Sequence, residues 1–334
     1  MRKFLTSTPL IIGSVISASV LFSPSVVADE LAPLHQRLVN MGSDAQKLNY
    51  RGEFILQQGV QVKSYGITHV YSRIDDLERI RVIGLEDNPS EIIKVGDTLF
   101  TINTRITGDK REQLIRESDD DKAPTPDLLA KGIRHYEIQR VKTRQVAGRP
   151  CDWIQIRPIK NDRLQHGFCL DQEHNLALKT ETRRLDGQLI EGMRFIDIEF
   201  NPVVKSEIFN PPSTNSANSA TLSSKIEQKD DTPASLPINL QWIPPGFEQV
   251  LARQYVKPSG NAVSRFLFSD GFSSFSVFVE ACESEVEQQM RHAGSTTLIV
   301  KSLSNEAGEL QRVTLAGELP PATLQKISEQ LLYP

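Results

Sequence analysis

The chain has 334 residues, of which 39% are hydrophobic and 24% charged, and its formal net charge is −4. A chain of this length can bury a sizeable core and is long enough for about two domains. The acidic balance argues against nucleic acid as a partner, because binding to a phosphate backbone requires an excess of Lys and Arg.

The first 28 residues predict export. Arg2 and Lys3 precede an apolar run over residues 9–22, and Val26-Val27-Ala28 precede Asp29. A basic start, an apolar centre and a small-residue end are typical of a cleaved signal peptide. A membrane anchor is the weaker alternative, because serines dilute the apolar run. Loss of Arg2 and Lys3 would leave a soluble mature chain with 36 basic and 42 acidic residues.

Two of the three cysteines are predicted to form a disulfide. Cys151 and Cys169 lie in strand-like segments, residues 151–157 and 164–170, on either side of a turn-rich stretch. An antiparallel hairpin folding near Lys160 places the two sulfurs almost opposite each other, within disulfide range. Two buried thiols remain the alternative, because the register can slip by a residue or two. Cys282 would then stay unpaired.

A change of composition after residue 212 predicts the domain organisation. Residues 213–235 are rich in Ser, Asn, Thr and Asp and poor in large apolar residues, which is typical of a flexible linker. We therefore predict a signal peptide (1–28), a large domain (29–212), the linker (213–235) and a small domain (236–334).

The large domain is predicted to be mainly β, with a few helices. A helix over residues 30–48 precedes strand-like segments between turn residues, and residues 125–132 form one helical interruption that begins with Thr125 and Pro126. A long antiparallel sheet of this kind curves into an open barrel or wraps a helix, and its concave side can hold an apolar cavity. The candidate lining residues, each of which is alternatively plain core, are Phe54, Leu56, Phe100, Trp153, Phe168 and Phe195.

The small domain is predicted to be an antiparallel meander backed by a helix over residues 320–332. Its segment SDGFSSFSVFVE places Phe275 and two valines on one strand face, while Phe272 and Phe278 lie on the other. Those two rings can be covered by the helix, by the large domain or by another protein. Burial statistics favour cover from within the chain.

No motif in the sequence predicts catalysis, a metal or a cofactor. The chain has neither a Gly-x-Ser-x-Gly elbow nor a glycine-rich phosphate loop, and its six histidines show no metal-ligand spacing. His166 and Cys169, three apart on a strand, point to opposite faces. The acidic run 118–122 lacks the turn glycine of a calcium loop and is predicted to be a solvated loop. Binding is therefore the function that remains.

Several segments together resemble one family. They are LNYRGEFILQQG, EIIKVGD, WIPPGF, SDGFSSFSVFVE and VTLAGELPPATLQKISEQL, and they are similar to the MucB/RseB family of periplasmic regulators of the sigma-E envelope-stress response. The resemblance covers nearly the whole mature chain.

The resemblance implies a large domain similar to the lipoprotein carriers LolA and LolB, and a periplasmic location. It also implies that the protein binds the periplasmic part of the anti-sigma factor RseA, shields it from proteolysis and responds to lipids or lipopolysaccharide. A homodimer is a further expectation, and a periplasmic lipid or lipoprotein carrier is the competing interpretation. Under this hypothesis the candidate contacts for the anti-sigma segment are Trp242, Phe247, Phe272 and Phe278.

Overall fold

The computed structural model describes residues 25–86, 90–107, 110–119, 124–211, 222–225, 236–257, 260–293 and 295–334. In these residues the strands form one sheet of twelve, one of six and one of two. We call residues 25–211 with 222–225 the large lobe, and residues 236–334 the small lobe. Within these ranges no helix has both the length and the apolar character needed to cross a bilayer.

The first helix, α1, lies against the large sheet. It spans Ser25–Gln46, whereas the sequence predicted residues 30–48. Leu34 and Leu38 lie one turn apart, and both are buried in a cluster with Ile154, Ile156 and other sheet residues. Residues 1–24 of the predicted signal peptide lie outside the described residues.

The large lobe is built mainly of strands. Its elements after α1 are β1 (Tyr50–Gln58), β2 (Gln61–Ser72), β3 (Leu77–Gly84), β4 (Ser90–Val95), β5 (Thr98–Thr107), β6 (Lys110–Asp119), α2 (Pro126–Gly132), β7 (Tyr136–Val146), β8 (Arg149–Pro158), β9 (Gln165–Asp171), β10 (Ala177–Arg183), β11 (Leu189–Phe200) and β12 (Leu222–Lys225). Short 3-10 turns at Ile133–His135 and Ser206–Phe209 complete it.

The large sheet is open. Its strand order is β12-β6-β5-β4-β3-β2-β1-β11-β10-β9-β8-β7, so β12 and β7 are edge strands that do not pair with each other. All neighbours are antiparallel except β12 and β6. Bulges between Glu53 and Phe54 and between Arg140 and Lys142 shift the register, and bulges of this kind bend a sheet. The predicted mainly β fold with a large antiparallel sheet is confirmed.

Two parts of the large lobe differ from the expectation. β6 was not predicted, and the acidic run 118–122, predicted to be a loop, contributes Ser118 and Asp119 to the end of this strand. β12 lies within the predicted linker and pairs with β6 from Leu114 to Glu117. The other residues of 213–235, and residues 120–122, lie outside the described residues.

The small lobe is a six-stranded sheet with one helix. Its elements are β13 (Asn239–Leu240), β14 (Glu248–Val256), β15 (Ala262–Ser269), β16 (Ser274–Ala281), β17 (Gln289–Ala293), β18 (Thr296–Ser304), β19 (Leu310–Gly317), α3 (Pro321–Glu329) and β20 (Leu331–Leu332). The sheet order is β14-β15-β16-β19-β18-β17. The predicted meander is therefore wrong after β16, because β19 takes the place next to it and the unpredicted β17 lies at the far edge.

The helix α3 covers one face of this sheet. Leu324 and Ile327 from the helix pack with Phe275, Val277 and Val279, as the alternation of the β16 sequence predicted. The helix ends at Glu329, three residues earlier than predicted, because β20 then pairs with β13 and ties the chain end to the start of the lobe.

Candidate functional site

The six candidate cavity residues of the large lobe lie in different places. Phe54, Trp153 and Phe195 belong to one apolar cluster, Phe168 packs with the α1 cluster, and Phe100 packs with Ile93, Ile102 and Phe209. Leu56 is half-buried on β1. The structure does not bring the six together. Phe100 is on β5, four strands away from β1. Phe168 pairs with Ile154, the neighbour of Trp153, so Phe168 and Trp153 lie on opposite faces of the sheet.

The residues that do meet are on β1, β2 and β11. Phe54 is opposite Phe195 and Tyr65 in the strand registers. Its ring centroid lies 5.9 Å from that of Phe195 and 5.3 Å from that of Tyr65. Phe54 and Tyr65 are half-buried, so this apolar patch is partly open to a ligand.

Trp153 has a different environment. It is 3% exposed, and its ring lies 4.9 Å from the Arg144 guanidinium carbon and 5.3 Å from Lys179 Nζ. Cation–π contacts of this kind stabilise a buried ring beside charged side chains. Trp153 is therefore held by the protein's own cations.

Cys151 and Cys169 are joined by a disulfide, with their Cα atoms 5.3 Å apart. Cys151 pairs in register with Asp171, and Cys169 pairs with Trp153. The two cysteines are thus diagonal neighbours, two residues from the directly opposed arrangement. Cys282 is free and half-buried.

A groove crosses β11, β1, β2 and β3, and Ile67, Ile83 and Leu85 are among its lining residues. Its charged lining residues include Arg51, Glu53, Arg81, Asp197 and Glu199. Arg51 and Glu199 form an exposed ion pair at 2.7 Å. The groove therefore presents both charged and apolar side chains.

The four aromatic candidates of the small lobe have distinct surroundings. Phe247 is 6% exposed and lies 5.6 Å from Phe275 in the core. Trp242 is half-buried, with Lys326 Nζ 3.8 Å from its ring. Phe278 is half-buried on the sheet face opposite α3, and the Arg265 guanidinium lies 5.7 Å above its ring. Of the four, Phe278 is the one that belongs to none of the apolar clusters of the described residues.

Phe272 lies at the junction between the lobes. Its ring meets that of Tyr136 edge-on at 5.3 Å and packs against the large-lobe cluster that includes Leu34 and Leu38. Of the three covers considered for this ring, the structure shows the large lobe. As the Phe272 ring is already packed, a partner has to displace the large lobe to reach it fully.

The junction is tightly packed. A Cβ added at Gly132, at the end of α2, would lie 1.8 Å from the carbonyl oxygen of Asp270, and one added at Gly271 would lie 2.8 Å from Leu129. Gly271 also has a φ of +92°, a backbone conformation that residues with a Cβ atom rarely adopt. Glycines at these two positions therefore let the lobes touch backbone to backbone.

Polar side chains, which sequence reasoning did not identify, complete the junction. Tyr136, Arg163 and His166 of the large lobe contact Asp270 and Ser273 of the small lobe. All five are buried. Their partners are more than 100 positions apart in the chain, so the only local signal was the Asp-Gly turn in SDGF.

Burial shifts several pKa values at the junction. It lowers the pKa of His166 to about 4, so this imidazole is neutral at physiological pH. Burial, followed by the charge of Asp270, raises the pKa of Tyr136 well above its ordinary value. Burial and the charge of Arg163 lower the pKa of His135.

A second contact joins the lobes at β11. Ser295 Oγ donates a hydrogen bond to Glu191 Oε2 at 2.8 Å and lies 3.4 Å from Glu318 Oε1. Burial and the nearby Glu191 charge raise the pKa of Glu318. Two carboxylates thus face each other across the lobes around one hydroxyl.

A large open sheet wraps a helix and is joined by a buried junction to a small sheet-and-helix lobe, so the fold is that of a two-lobed, mainly β protein. The chain belongs to the MucB/RseB family, since the models of the family's N-terminal and C-terminal domains match residues 33–213 and 233–332.

Relatives match along almost the whole length. The sigma-E factor regulatory protein RseB of Escherichia coli K12 is 25% identical over an alignment of 333 positions, and the match covers 96% of each chain. The sigma factor AlgU regulatory protein MucB of Pseudomonas aeruginosa is 24% identical over an alignment of 330 positions, and the match covers 97% of this chain and 96% of that protein. The fold is similar to that of MucB in the Pseudomonas aeruginosa MucA/MucB complex, with a TM-score of 0.69 and 19% identity over 90% of this chain and 98% of that one.

Proposed function

We propose that the protein is a periplasmic regulator that binds the periplasmic part of an anti-sigma factor of the RseA type and shields it from proteolysis. The observation that carries this proposal is the match of both lobes, in order, to proteins described as sigma-factor regulatory proteins. The fold likeness to MucB in its complex with MucA supports the same kind of partner. This role is one of binding and involves no chemical step.

Lipid or lipopolysaccharide acts, in this proposal, as the signal that releases the anti-sigma factor. We assign the acyl chain to the patch that the half-buried rings of Phe54 and Tyr65 form beside the buried ring of Phe195, because these rings meet on adjacent strands. Apolar side chains that stay partly open provide area that an acyl chain can bury.

The two ligands are linked if they favour different arrangements of the lobes. Each ligand then weakens the other by the same factor, about 5–150-fold for a typical coupling free energy of 1–3 kcal/mol. The junction is the place where such a change is expected, because its buried polar contacts join the two lobes.

Binding of the two ligands to the mature protein tests the proposal. Titration calorimetry with the anti-sigma periplasmic segment should give a one-site isotherm, and added lipopolysaccharide or palmitate should weaken it within that range. A photoreactive fatty acid should label β1, β2 or β11 and not β5. Binding of lipid together with no affinity for the anti-sigma segment would instead favour the carrier interpretation.

Phe278 provides the residue-level test of partner binding. Phe278→Ala should weaken the binding of the anti-sigma segment about tenfold or more. The melting temperature should change little, because the ring lies outside the small-lobe core. Ile74→Ala is the matched control, since Ile74 is 99% exposed and lies in the large lobe between β2 and β3. Equal affinity of the two variants would remove Phe278 from the site. Light scattering of the same samples tests the homodimer.

A further inference from the structure

The carboxylate of Asp270 is held by donors from both lobes. Oδ2 accepts a hydrogen bond from Arg163 Nε at 2.7 Å and another from the Tyr136 hydroxyl at 2.8 Å. Oδ1 accepts the backbone N–H groups of Phe272 at 3.0 Å and Ser273 at 2.8 Å. Four donors thus satisfy this carboxylate without solvent.

Arg163 is as deeply buried as its partner. The exposed fractions of the Arg163 and Asp270 side chains are 1% and 0%. Arg163 also donates to Asp162 Oδ1 at 3.0 Å and to the carbonyl oxygen of Pro245. Its guanidinium lies 5.6 Å from the ring of Tyr136 and 5.1 Å from that of Phe247.

In this geometry the buried guanidinium of Arg163 requires an anion beside its Nε atom. A buried guanidinium that loses one of its carboxylates is strongly unfavourable, whereas a well hydrogen-bonded pair is tolerated. In this structure the anion at Nε comes from a turn of the small lobe that presents its carboxylate together with two N–H groups. The Asp270 carboxylate is therefore held in the way that a protein site holds a bound carboxylate ligand.

We propose that Arg163 and Tyr136 form a carboxylate-binding socket on the large lobe, and that Asp270 fills it as an internal ligand that closes the lobes on each other. Filling of the socket and closure of the lobes are then one event. A free carboxylate of small size replaces the Asp270 side chain once that side chain is removed. This inference concerns the chain by itself and holds whether or not the anti-sigma segment is the partner.

Spin-label distances in the full mature protein test the socket. Labels are placed at Val60→Cys in the large lobe and Ala307→Cys in the small lobe, in a Cys282→Ser background. Both positions are exposed, and the Cys151–Cys169 disulfide is kept by omitting reductant. The variants compared are Asp270→Ala, which leaves space for a probe, and Asp270→Asn, which keeps the size and removes the charge.

The parent should give one narrow interlobe distance distribution. Asp270→Ala should broaden it or shift it to longer distances, and sodium formate should restore the narrow peak where sodium chloride at equal ionic strength does not. Glu199→Ala is the matched control, because it breaks an exposed ion pair of Arg51 and should change nothing with either salt.

Two results would overturn the proposal. One is a distance distribution of Asp270→Ala that equals the parent's, and the other is an effect of formate no larger than that of chloride. If Asp270→Ala does not fold, Asp270→Asn decides, because the socket then requires a broadened distribution where simple packing would preserve the peak.

Discussion

His166 shows how a single buried residue can make the fold sensitive to acid. The imidazole lies 3.1 Å from Ser273 Oγ, beside the rings of Tyr136 and Phe168 and within the field of Asp270. Its pKa is about 4 in the folded protein against an ordinary value of 6.5, so the folded state binds fewer protons than the unfolded state. Its contribution to stability is full above about pH 6.5 and is lost as the pH falls towards 4.

The lowered pKa of His166 alone should reduce the free energy of unfolding by roughly 2 kcal/mol as the pH falls from 7.5 to 5. Urea denaturation of the parent and of His166→Gln at both pH values measures the free energy of unfolding. Its change between the two pH values should be smaller in the variant by this amount. His292→Gln, at an exposed position, is the control and should keep it. Parallel pH dependence in all three proteins would contradict the assignment.

The disulfide gives a second prediction for individual residues. It links positions 18 apart in the sequence, and closing a loop of this size stabilises a fold by about 3 kcal/mol. Cys151→Ala with Cys169→Ala should lower the melting temperature, and a reductant should lower that of the parent but not that of the variant. Cys282→Ala, which removes the free cysteine, should leave the response to reductant unchanged.

Single residues also mark where sequence reasoning stops. The spacing of strands around Lys160 was enough to predict the cysteine pair, because a hairpin is a local structure. Arg163, Tyr136 and Asp270 were not predicted, because their contacts span 107 and 134 positions and a buried Arg reads in sequence like a surface one. Sheet order separates Phe100 from Phe54, and the register of β8 with β9 puts Phe168 and Trp153 on opposite faces. The alternation within one strand reveals neither.

Among the elements, α2 meets the small lobe backbone to backbone at Gly132. Gly132→Ala should lower the unfolding free energy by about 1–3 kcal/mol or more, because its new methyl group would overlap the Asp270 carbonyl oxygen. Gly42→Ala in α1 is the control: nothing lies within 4 Å of its Cβ, and Ala in a helix should stabilise by about 0.5–1 kcal/mol. Thermal unfolding of the two variants should therefore shift in opposite directions.

Elements were predictable where their pattern was strong. α2 begins as its sequence predicts, with the Thr125 side chain accepting the Leu128 N–H at 3.2 Å. β6 was missed because KREQLIRESD has only two large apolar residues, and its partner β5 supplies the pairing that the pattern lacks. The order of the small sheet depends on a crossover between β16 and β19, which no local signal encodes.

At the scale of the whole molecule, the second contact between the lobes should respond to pH in the opposite sense to His166. The pKa of Glu318 is raised, so the contribution of its protonated form is present below the ordinary pKa and is lost as the pH rises through the raised one. Glu318→Gln should therefore raise the melting temperature more at pH 7.5 than at pH 5. Glu306→Gln, at an exposed position, should leave the melting temperature unchanged at both pH values.

The pairing of β12 with β6 fixes where the chain leaves the large lobe. Leu222–Lys225 is held at the sheet edge, and the small lobe resumes at Leu236. Eleven Cα–Cα steps separate Lys225 from Leu236, and a fully extended chain of that length reaches at most about 40 Å. Leu236 therefore lies within about 40 Å of Lys225 in any arrangement of the two lobes, and deletions between these two points would reduce that limit.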